Sequence, residues 1–125
     1  MKIQYNNNFI ILDFLFEEEE YLYFKYKVSS WNFWWEHTFC LLKSQIALLY
    51  WELLQCYKQL RGEIMIQDNE DDNYFKIDFE KYGRVKITGQ IWWTYNDHCL
   101  KYSFEADQTV IPPLMKDVLD LIELQ

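Results

Sequence analysis

The sequence predicts an α+β fold: a curved antiparallel sheet of about seven strands, one central helix packed on a face, and a short C-terminal helix. Three observations lead there. Runs of period-2 alternation recur along the chain, joined mostly by short connections without interleaved helices. A single internal stretch, residues 44–61, instead repeats its apolar positions at helical spacing. Finally, Tyr, Phe and Trp make up a fifth of the 125 residues, a composition that suits strands. Half of the chain is apolar, enough for a real core in one domain spanning residues 1–125.

Asn6-Asn7-Asn8 reads as a turn. Phe9–Phe16 is apolar apart from Asp13, which predicts a strand buried on both faces, or with core on one face and a cover on the other. Glu17–Glu20 should be an exposed connection, because adjacent like charges repel unless solvated. In Tyr21–Val28, Leu22, Phe24, Tyr26 and Val28 share one face. After Ser29-Ser30, Trp31–Cys40 alternates again, and the two segments should pair antiparallel.

The central helix is predicted over Ser44–Arg61, with Ser44 as N-cap and Gly62 just past its end. Ile46, Leu49, Leu53, Cys56 and Leu60 form its buried stripe. At 100° per residue Trp51 points away from that stripe, so something else must cover or bind it.

Ile64 and Ile66 open the next strand, and the acidic run from Asp68 to Asn73 should be a solvated loop. Phe75, Ile77 and Phe79 follow, then a turn at Lys81-Tyr82-Gly83. The strand through Val85, Ile87 and Ile91 to Tyr95 turns at Asn96-Asp97 and returns through Leu100, Tyr102, Phe104 and Ala106. Pro112 and Pro113 suit the first turn of a helix whose stripe is Leu114, Val118, Leu121 and Ile122.

A net charge of −8 argues against nucleic acid as a partner, since phosphate binding needs clustered Lys and Arg. Acidity either keeps an aromatic-rich protein soluble or draws it to a basic protein partner. Three cysteines without close spacing resemble reduced thiols rather than a disulfide framework, and no apolar run reaches membrane-spanning length. A cytoplasmic location is the expectation.

Chemistry finds little support. His37, Cys40, His98 and Cys99 are the best metal-ligand types, yet strand neighbours point to opposite faces, so no metal and no cofactor is expected. The run from Asp68 departs from a calcium loop, with Asn73 where Gly is required and Phe79 where Glu is required. No nucleophile elbow or phosphate-binding loop is present, and the chain is read as no enzyme. Trp31, Trp34, Trp35, Trp92 and Trp93 leave open an aromatic-lined pocket for a small ligand as the alternative function.

Leu60-Arg61-Gly62 ending a helix before a strand, the strand from Gly83 to Tyr95, and Phe104-Glu105-Ala106-Asp107-Gln108-Thr109 leading into a Leu-rich helix resemble the WapI-type immunity proteins. The resemblance covers the C-terminal two thirds, with Val110 and Ile111 at the apolar position after the Asp-Gln-Thr element. The N-terminal third departs from it, Ser30-Trp31-Asn32 standing where an Asp near the Trp is usual. It implies a small cytoplasmic protein that neutralises a toxin passed between bacteria by stoichiometric binding, without catalysis. On that reading Glu18, Glu19, Trp51, Asp71 and Asp72 would bind the basic toxin domain, while Asp107 and Gln108 would serve as a structural cap and bridge.

Overall fold

The chain forms two four-stranded antiparallel sheets and two helices in a computed structural model. Residues 1–31, 33–93 and 98–124 are described, the side chains of Trp93 and His98 excepted. The first sheet is a meander of β1 (Lys2–Tyr5), β2 (Asn8–Glu18), β3 (Tyr21–Ser30) and β4 (Phe33–Leu42). Helix α1 (Lys43–Gln59) follows. The second meander is β5 (Gly62–Gln67), β6 (Tyr74–Phe79), β7 (Arg84–Trp93) and β8 (His98–Asp107), and α2 (Ile111–Glu123) closes the sequence.

This corrects the expectation of one curved sheet of about seven strands with a central helix packed on its face. A 17-residue helix separates β4 from β5, and those strands do not pair. The eighth strand is β1, whose Ile3 is buried between exposed Lys2 and Gln4 and pairs with Ile10 of β2. The sheets meet through aromatic rings. Tyr26 on β3 stacks on Phe75 of β6 with centroids 5.9 Å apart, and Phe39 on β4 lies at the same distance from Phe75. The Tyr26 and Tyr102 hydroxyls hydrogen-bond to each other across the interface. Gly89 makes room for this: a methyl there would run into the Tyr102 ring.

Leu22, Phe24, Tyr26 and Val28 are buried as the alternation of β3 requires, and β3 pairs antiparallel with β4. Trp31 is not part of β4; it occupies the preceding turn in a left-handed conformation, φ 58°. The α1 stripe holds at Ile46, Leu49 and Leu53 but fails at Leu60, which is exposed. Its ends also differ from expectation. Leu42, not Ser44, is the N-cap residue, and its backbone N–H donates to Gln45 Oε1 at 2.7 Å. Leu60, not Gly62, takes the left-handed position that ends the helix, its N–H donating to the Cys56 carbonyl. In α2, Leu114, Val118 and Leu121 are buried and Ile122 is half-buried. The turn expected at Asn96-Asp97 lies outside the described residues.

Candidate functional site

The β2–β3 hairpin departs most from its expected environment. The first half of β2 is core, with Ile10 and Leu12 buried, but Phe14, Leu15 and Phe16 are 46, 49 and 51 % exposed. The expectation that Phe9–Phe16 is buried or covered on both faces therefore fails in its second half. A bulge follows Phe14, which stays in register with Phe24: Phe16 pairs with Tyr23, so Leu15 has no partner and the side chains from there on are re-aimed. Phe16 stacks on Tyr23 with centroids 4.7 Å apart, and Phe14 contacts Phe24 edge-on. A shallow cavity of about 150 Å³ beside the bulge is lined by Phe14, Glu17, Leu22, Leu121 and Leu124.

Glutamates border this apolar strip. Strand β2 runs to Glu18, so the loop is only the Glu19-Glu20 turn, with Glu19 left-handed at φ 56°. Glu18 and Glu19 are exposed. Glu17 pairs with Lys43 at 2.9 Å, and that contact raises the Lys43 ammonium above its usual range. The Glu20 carbonyl accepts the Lys43 backbone N–H at 2.9 Å, fixing the turn to the start of α1.

The second acidic segment is brought alongside. Tyr23 donates its hydroxyl to Glu70 at 2.8 Å, which pushes the phenol well above its ordinary value. The loop carrying Glu70 is latched to the edge of β4, where Asp68 Oδ1 accepts the Cys40 N–H and the Asn69 N–H donates to the Cys40 carbonyl. Here the expectation of a solvated loop fails at both ends, because Asp68 and Asn73 are buried. Desolvation raises the Asp68 carboxyl above its usual value, opposed by N–H donors from Glu70 and Cys40. Asn73 Oδ1 accepts the Trp92 N–H at 2.7 Å, tying the loop to β7. Only the middle is presented to solvent, with Asp72 exposed and Asp71 half-buried.

Glu18, Glu19, Asp71 and Asp72 thus share one end of the molecule. Trp51 does not join them. It is 60 % exposed on the outer side of α1, about 12 Å along the helix axis from Lys43. Leu48, one turn closer, is also exposed and lines a groove with Met65 of β5. Of the tryptophans, Trp31 and Trp34 are exposed while Trp35 and Trp92 are half-buried, so these four are spread between surface and core.

Asp107 Oδ1 accepts the Thr109 N–H at 2.9 Å and also bonds the Thr109 hydroxyl, contacts that hold its carboxyl below the usual range. Gln108 packs its side chain over Gly83, in the turn that begins β7. Among the expected metal ligands, the His37 ring lies against the Thr38 backbone, Cys40 is buried, Cys99 is exposed, and the His98 side chain lies outside the described residues. Among the described residues no group of three His, Cys, Asp or Glu side chains could hold a metal ion.

The sequence reading missed Phe14-Leu15-Phe16 as surface. The signal was available: three consecutive apolar residues cannot all reach one core from a strand, and these run straight into four glutamates.

The model of the immunity protein WapI-like family matches residues 4–124, nearly the whole chain. The chain belongs to that family. Membership supports an immunity function in general terms, and in the WapI-like family the notion implies a toxin as partner. No curated protein matches the chain. Two solved structures share its fold at 8% sequence identity. WHY3 from Arabidopsis thaliana aligns with a TM-score of 0.57 over 98% of this chain and 85% of that one. MRP1/MRP2 of Trypanosoma bruciei aligns with a TM-score of 0.53 over 96% and 81%. At such identity these likenesses speak for the architecture of this WapI-like chain alone.

Proposed function

We propose that this protein is a cytoplasmic immunity protein that neutralises a cognate bacterial toxin by stoichiometric binding, without catalysis and without a cofactor. The partner surface is basic and docks on the acidic end of the molecule. One observation carries the reading: two acidic segments far apart in sequence converge beside an exposed apolar strip, Phe14-Leu15-Phe16. An apolar centre with a charged rim is the anatomy of a protein interface, in which rings supply buried contact and charges steer encounter. Nucleic acid is disfavoured as a partner by the net charge of −8.

Co-expression with each effector toxin found encoded beside this gene, in a sensitive cell, tests the proposal. The parent chain should restore growth, and a chain with Phe14, Leu15 and Phe16 changed to Ser should protect less. Equal killing by every adjacent effector, with and without this protein, would rule immunity out.

A further inference from the structure

Cations gather at the other end of α1. Both arginines of the chain, Arg61 and Arg84, line an open cleft of about 550 Å³ with Lys81, Glu80, Leu60 and Tyr82, over a floor of Phe79. None of the three cations enters an ion pair among the described residues. The Arg61 side chain donates from Nε to Gln59 at 3.3 Å. Arg84 faces Asp107 across the β7–β8 ladder, but that carboxylate is turned to Thr109.

One side of the cleft is braced by backbone hydrogen bonds. Glu80 N–H donates to the Arg84 carbonyl at 2.8 Å and Arg84 N–H to the Lys81 carbonyl, closing a three-residue loop. Gln108 braces that loop against Gly83. It holds Tyr82 left-handed at φ 63° and 96 % exposed, a backbone cost that burial of its ring does not offset. Leu60, on the facing wall, is likewise left-handed and exposed.

We infer that this cleft is a second binding site, which takes an acidic, leucine-bearing peptide segment of a partner protein. Two arginine forks can each hold a carboxylate through paired N–H donors. Tyr82 and Leu60 offer apolar contact that a free phosphate could not use, and the opening is far wider than such an ion needs. A nucleic acid strand would need a longer cationic track than Arg61, Arg84 and Lys81 supply. Among the described residues Glu80 is the only carboxylate in the lining, set beside the loop that carries Tyr82.

The test is fluorescence anisotropy of the full chain with a short labelled peptide alternating glutamate and leucine. Comparison probes are the glutamine–leucine analogue, a single-stranded oligonucleotide of equal charge, and inorganic phosphate as competitor. Saturable binding of the glutamate peptide is expected, weakened roughly tenfold or more by R61Q/R84Q with an unchanged circular dichroism melt. R84K, which keeps the charge and loses the fork, should also weaken it, whereas E18K/E19K should leave this site intact. No saturable binding, equal binding of the glutamine peptide, tighter binding of the oligonucleotide, displacement by phosphate, or indifference to R61Q/R84Q and R84K would each overturn the assignment.

Discussion

Phenylalanine substitutions at Tyr26 and Tyr102 should behave non-additively, because each hydroxyl is the other's partner inside the core. Tyr26 is fully buried on β3 and Tyr102 nearly so on β8, and burial raises both phenols above their ordinary value. Tyr26→Phe or Tyr102→Phe alone removes the shared bond and strands one hydroxyl away from water, at a cost of about 1–3 kcal/mol each. The double substitution removes both polar groups while keeping both rings and their stacking, so it strands nothing. It should therefore be more stable than the less stable single variant, with a coupling energy of about 1–3 kcal/mol. Urea denaturation followed by tryptophan fluorescence reads this out, with four variants forming one cycle. Losses that simply add would show that the hydroxyls do not meet, and the two-sheet interface drawn through them would be wrong.

Other perturbations probe the helix, the interface and the acidic loop. Leu53→Ala, at a fully buried position, should cost about 2–5 kcal/mol, and Trp51→Ala less than about 1 kcal/mol; equal large losses in denaturant would sink this orientation of α1. Gly89→Ala drives a methyl into the Tyr102 ring and should cost about 1–3 kcal/mol, so parent-like stability would place that ring elsewhere. The raised Asp68 carboxyl keeps its proton to higher pH folded than unfolded, so it opposes folding increasingly as pH rises above about 3.8 through the folded value. Asp68→Asn removes that titration while keeping an oxygen for the Cys40 and Glu70 N–H groups. Relative to the parent it should gain stability as pH rises from about 3.8 through the raised folded value, and a pH-independent difference would contradict the burial of charge at this site.

Element types were legible because alternation and helical spacing survive in the sequence: β3 and β6 bury the residues their periods select, and β8 and α2 do so apart from half-buried Leu100 and Ile122. Sheet membership was not legible. An antiparallel strand has the same alternation whether its neighbours form one sheet or two, and only the unpaired gap between β4 and β5 decides it. Strand β1 is four residues long, too short for a period to register. Gly62 misled as the helix terminator because Leu60 accepts a left-handed φ of 51° two residues earlier. Within the candidate site the acidic residues were visible as runs, but their convergence depends on Tyr23–Glu70 and Asp68–Cys40 contacts that join distant segments. The bulge at Leu15 depends on pairing register, which composition does not encode.

Affinity of the purified chain for the toxin domain of the neighbouring effector, measured by calorimetry across a salt series, bears most directly on immunity through the acidic end. A one-to-one complex is expected, tightest at low salt. Reversal of Glu18, Glu19, Asp71 and Asp72 to Lys should slow association and flatten the salt dependence. Binding with undiminished salt dependence after that reversal, or no complex with the toxin domain at all, would contradict the account.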